Sequence, residues 1–111
     1  MELLLVMGPS DARKEAEAIL RTKSGYSLTT VESEDEALTE LSEKTAAVFV
    51  DGQDPALVTA VFDLMPALCP TATKFIVGSN EPLEEIAKKH KAFCITVKTI
   101  HAFLTLTAIC P

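Results

Sequence analysis

Cysteine is scarce in this 111-residue chain. Cys69, Cys94 and Cys110 are odd in number and share no short spacing, which argues against both a disulfide framework and a zinc site. Buried free thiols in a reducing compartment are the default for such residues. Basic residues are also in short supply, and the net charge is −6. A nucleic-acid binder carries a basic patch, so that class is disfavoured. The N-terminal Met-Glu-Leu lacks the basic region of a signal peptide. The longest uncharged stretch, Thr99–Pro111, is too short to span a bilayer as a helix. No internal repeat, linker or low-complexity segment is present. No Ser/His/Asp grouping suggests covalent catalysis, so an enzyme is not expected. These absences leave a cytoplasmic protein that engages neither nucleic acid nor membrane.

What is present is ordinary for a globular domain: 48% hydrophobic and 23% charged residues. The length suits one domain, residues 1–111, with a single core. The acidic excess gathers around Glu32, Glu34, Asp35, Glu36, Glu40 and Glu43, and reads as a solvated helix face.

The stretch Thr45–Pro55 organises the rest. Ala46–Val50 is an uncharged run that favours a strand buried on both faces. It stops at Asp51, and Gly52 lets the backbone turn. Asp54 then Pro55 reads as a helix start, with a side-chain cap and a proline in the first turn. The third helix carries Val58, Val61, Phe62 and Met65 on one face, and Pro66 is expected to end or kink it.

The same alternation runs through the chain. Leu3–Val6 reads as the first strand, broken at Gly8-Pro9-Ser10-Asp11. Ala12, Ala16, Ile19 and Leu20 mark the first helix, and Asp11 is expected to cap it and complement its dipole. Ser27–Val31 reads as a strand. Ser33 and Glu36 fit a capping box, with Ala37, Leu38 and Leu41 on one helical face. Lys74–Val77 is the fourth strand. Pro82 opens a helix with Leu83, Ile86, Ala87 and His90 in one stripe. Phe93–Val97 is the fifth strand, and Thr99–Cys110 the fifth helix.

Continuous apolar strands suit the centre of a parallel sheet, and half-polar ones suit its edges. Ser27–Val31 and Phe93–Val97 therefore fall at the edges. Right-handed crossovers then give the order 2-1-3-4-5. The fold expected is α/β, a flavodoxin-like (βα)5 three-layer sandwich with its switch point beside Asp51.

On these residues the chain resembles the receiver domain of two-component response regulators, a CheY-like family. The resemblance covers essentially the whole chain. It implies that Asp51 is the equivalent of the phosphoacceptor, that Pro55 matches a proline common after it, and that Lys98 is the phosphate-contacting lysine. Arg13 falls at a frequently basic place. The departures from the family pattern are specific. Its two magnesium-holding acids fall here on Met7 and Gly8, which offer no oxygen to a hard cation. Its fourth-strand hydroxyl falls on Gly78, with Ser79 next. Thr99 replaces the usual proline after the lysine, and the aromatic switch position falls on Ile95. Phosphoryl transfer depends on neutralising charge on the phosphoryl oxygens, so the expected form is a pseudo-receiver without magnesium or other cofactor. In such a site Lys98 is expected to pair with Asp51. Asp11 and Asp54 are the remaining carboxylates near enough in sequence to serve a metal. Two alternatives stand beside this reading: an active phosphoacceptor using Asp51, and a small-anion-binding module of the same fold.

Gly8-Pro9-Ser10 before a helix start is a generic anion site, but without further phosphate-loop residues it reads as a plain turn. His90 and His101 lack carboxylate or cysteine neighbours at ligand spacing and read as structural. Cys94 reads as packing. The uncharged C-terminal helix has a second apolar stripe, including Leu106 and Ile109, where one stripe suffices for burial. The resemblance implies an interaction face of fourth helix, fifth strand and fifth helix. Ile95, Phe103, Leu106 and Ile109 are its expected members. The expected partner is an output domain, another protein or a second copy of the chain.

Overall fold

The computed structural model describes residues 2–22 and 25–100. Strands and helices alternate along them: β1 (Glu2–Val6), α1 (Asp11–Leu20), β2 (Ser27–Val31), α2 (Glu34–Glu40), β3 (Thr45–Asp51), α3 (Pro55–Leu68), β4 (Thr73–Val77), α4 (Glu81–His90) and β5 (Phe93–Ile95). A 3-10 turn at Val97–Thr99 follows. The strands form one parallel sheet in the order β2-β1-β3-β4-β5. This is the flavodoxin-like order, with the half-polar strand β2 at one edge and the short β5, Phe-Cys-Ile, at the other.

Alternation along the central strands feeds two separate cores. Leu4, Val6, Val48, Val50 and Ile76 point to the face covered by α2, α3 and α4, where they meet Ala37, Val58, Phe62 and Leu83. Leu3, Leu5, Ala47, Phe49 and Phe75 point to the α1 face, against Ala16 and Leu20. Phe49 and Phe75 stack there with ring centroids 4.6 Å apart. Burying each such side chain contributes about 1.5–3 kcal/mol, which is why β1 and β3 tolerate no polar residue in their middles.

Helix starts follow the capping signals. Ser10, Ser33, Asp54 and Asn80 each accept the amide three residues on, at 3.0–3.2 Å. Ser10, not Asp11, caps α1; Asp11 occupies its first turn, where its charge complements the dipole. Glu36 completes its half of the capping interaction one residue early, accepting the Glu32 amide at 3.1 Å.

Three sequence expectations are corrected. Pro66 does not end α3, which continues to Leu68; it lies exposed near the helix end, so it removes only a late ladder bond. Leu38 is not a core residue but 48% exposed. Helix α2 stops at Glu40, and Leu41 turns extended and fills the core in its place. The fifth strand ends at Ile95, not Val97. There the Thr99 hydroxyl accepts the Thr96 amide at 3.0 Å and bends the chain into the 3-10 turn. The expected fifth helix lies outside the described residues from His101 onward. Among the described residues, no helix is long and apolar enough to cross a membrane.

Along the carboxyl edge of the sheet, backbone bonds join the ends of neighbouring strands. The Met7 amide donates to the Val31 carbonyl at 2.9 Å, Gly52 to Val77 at 3.0 Å, and Gly78 to Ile95 at 2.7 Å.

Candidate functional site

Right-handed crossovers place the loops after β1, β3, β4 and β5 at one edge. They enclose a cleft of about 520 Å³. Met7, Gly8, Asp51, Gly78 and Ser79 all line it, so five of the sequence-derived site residues come together there. Asp51 is the last residue of β3 and is half-buried. Its Oδ1 accepts the Gln53 amide at 3.0 Å, which fixes the carboxylate on the turn after the strand.

The cleft is polar at its rim and apolar beneath. Met7, Val77 and Leu83 line it and are at least nine-tenths buried. Two glycines permit this floor. Gly52 has no space for a Cβ, because Leu83 and the Val77 carbonyl already occupy it. Gly78 has φ 140°, a conformation that side chains rarely adopt. A Ser or Thr side chain at this place would meet both that strain and Leu83 Cδ1, 3.3 Å from its Cβ.

Lys98 does not join the site. It is exposed on the 3-10 turn, it does not line the cleft, and no ion pair within 4.0 Å links it to Asp51. The expected pair is absent because the turn presents Thr96 and Val97 to the cleft instead. Arg13 is also engaged elsewhere, pairing with Glu32 at 3.2 Å between α1 and the loop after β2. Asp54 caps α3, and neither it nor Asp11 lines the cleft.

A magnesium ion does not fit these residues. Such an ion requires several oxygen ligands near 2.0–2.1 Å, and Asp51 is the only carboxylate among the described residues lining the cleft. Among the described residues, no group of three or more His, Cys, Asp or Glu is placed to hold a metal.

The remaining singled-out residues serve packing. Ile95, expected on an interaction face, is 3% exposed and belongs to the α1-side core. As an inward-facing residue of β5 it cannot meet a partner. Phe103, Leu106 and Ile109 lie outside the described residues. His90 rests against Phe62, with ring centroids 5.6 Å apart. Its Nε2 is buried without a hydrogen bond, 3.9 Å from Asp63 Oδ1. Cys69 is buried and Cys94 half-buried. Sequence reasoning missed Gln53, Asn80, Leu83 and Thr96 as cleft residues. The Asn-Glu-Pro run at 80–82 carries the cap-plus-proline signal that finds Asn80. Comparison of the sequence with protein-family models and with curated proteins gives no match.

Proposed function

We propose that this chain is a receiver-like signalling module that acts through protein contacts, not through magnesium-dependent phosphoryl transfer, and is not an enzyme. The carrying observation is the company Asp51 keeps. It ends the third strand of a sheet ordered 2-1-3-4-5, and the sequence resemblance gives that place to a phosphoacceptor. The neighbouring places that would hold a cation are a buried thioether, Met7, and a glycine, Gly8. Without that cation, charge on a transferring phosphoryl group meets an uncompensated carboxylate. Lys98 does not substitute, since it does not line the cleft.

An exposed aromatic supports the contact role. Phe93 is 46% exposed on the edge strand β5. A groove beside it runs along α4, lined by Ala87, Ala92, Cys94 and acidic residues including Glu84. The sequence from Thr99 to Pro111 carries no Asp, Glu, Lys or Arg. The partner is an output domain, a separate protein or a second copy of the chain.

The test is a magnesium titration followed by NMR, with and without beryllofluoride. No saturable shift at Asp51 or Gln53 is the outcome that supports the reading. A shift requiring both reagents would establish an active phosphoacceptor instead. Leu106→Glu with Ile109→Glu probes the contact role: association should be lost while the circular dichroism spectrum is kept.

A further inference from the structure

We infer that the cleft at Asp51 binds a small organic ligand carrying an ammonium head on an apolar body. At about 520 Å³ the cleft falls within the ~300–1,000 Å³ range of small-molecule sites. It also shares their make-up, an apolar floor with a few convergent polar groups. The floor is Met7, Val77 and Leu83. Among the described residues lining it, Asp51 is the only charged one.

Charge selects the ligand class. An anion would approach a carboxylate with no lining cation to offset it, which is unfavourable in a partly desolvated site. A hydrated divalent ion would find one carboxylate and a hydrophobic floor. An ammonium group instead donates a charge-assisted hydrogen bond to the Asp51 carboxylate. The carboxylate has capacity for it. One bond from the Gln53 amide leaves most of its acceptor sites without a partner among the described residues, and no ion pair there uses them. An alkyl body then covers the apolar floor and gains burial that a bare ammonium ion would not. Gly52 and Gly78 matter here because their missing side chains let Leu83 form that floor.

Ligand binding of this kind goes beyond the contact role proposed above and does not depend on it. The experiment uses the full chain and three probes of nearly equal shape: n-butylammonium, n-butanol and butyrate. Each is titrated at neutral pH while the amide resonances of Gly8, Gln53, Gly78 and Ser79 are followed by NMR. Butylammonium should give saturable shifts at these amides. Butanol should bind about tenfold or more weakly, from loss of the charged hydrogen bond, and butyrate more weakly still. Asp51→Asn retains an acceptor for the Gln53 amide, so the turn is kept. It should weaken butylammonium about tenfold and leave butanol within about twofold. Absence of saturation with butylammonium, butyrate binding as well as butylammonium, or an unchanged butylammonium affinity in Asp51→Asn would each overturn the inference. The comparison of the three probes on the wild-type chain decides the matter even if the variant misfolds. None of these outcomes alters the magnesium and beryllofluoride result, so the two proposals fail separately.

Discussion

Leu83 fills the space beside Gly52: its Cδ1 lies 2.6 Å from where a Cβ on that glycine would stand. The Val77 carbonyl oxygen lies 3.0 Å from the same point. The leucine can rotate away, but the carbonyl belongs to the sheet and cannot. Gly52→Ala should therefore cost about 1–3 kcal/mol, the range for overpacking a filled core. Leu83→Ala alone removes a buried side chain and should cost about 2–5 kcal/mol. Combined, the two should cost less than their sum, because the smaller residue relieves part of the clash. Urea denaturation of the four proteins in this cycle measures it; strict additivity would refute the contact.

Pro66 sits within α3 although it cannot donate the ladder bond there. The site is exposed and close to the helix end, so the penalty is smaller than for a central proline. Pro66→Ala should raise stability by about 1 kcal/mol or more. Thermal unfolding by circular dichroism would read the gain as a higher Tm, and an unchanged or lower Tm would count against it.

His90 leaves its Nε2 buried and without a hydrogen bond. Removing an unsatisfied polar atom while keeping its volume tends to be neutral or favourable. His90→Leu should thus stabilise the protein by up to about 1 kcal/mol. A clear loss in chemical denaturation would mean that the weak approach to Asp63, or the Phe62 ring contact, contributes more than this geometry indicates.

Both described thiols resist ionisation. Burial pushes the Cys69 thiol up, with Lys74 drawing it partly back. Burial and then the charge of Glu84 push Cys94 up. A raised folded pKa leaves stability intact below the unfolded value. Above it, the unfolded chain loses its thiol protons first and holds fewer than the native state, so stability falls as pH rises. The decline attributable to these thiols should begin near pH 9.0, the ordinary thiol value. Stability measured from pH 7 to 10.5 should fall less steeply in Cys69→Ala with Cys94→Ala. Parallel curves for variant and wild type would disprove the assignment.

Much of the fold was legible because its signals are local. Leu3–Val6 and Ala46–Val50 read as buried strands since no polar residue interrupts them, and the proline and acceptor pair at Asp54-Pro55 marked a helix start. Edge position followed from the polar residues of Ser27–Val31. The site was legible at Asp51, Met7 and Gly8, whose places follow from strand ends. Lys98 was misplaced because its direction depends on a turn closed by Thr96 and Thr99, and hydroxyl bonding of that kind leaves no hydrophobic period. Leu38 was misplaced because periodicity alone does not tell that α2 stops at Glu40. The role of Leu83 over Gly52 arises only when α4 docks, a contact between distant parts of the chain.

The amides of Met7, Gly52 and Gly78 each hold a carbonyl of the adjoining strand end. A proton on any of these nitrogens can be replaced by deuterium only when that cross-link opens. Three slowly exchanging amides would then border the cleft. A change in their exchange rates would report on how firmly the loops are clamped, without any label or substitution at the cleft itself.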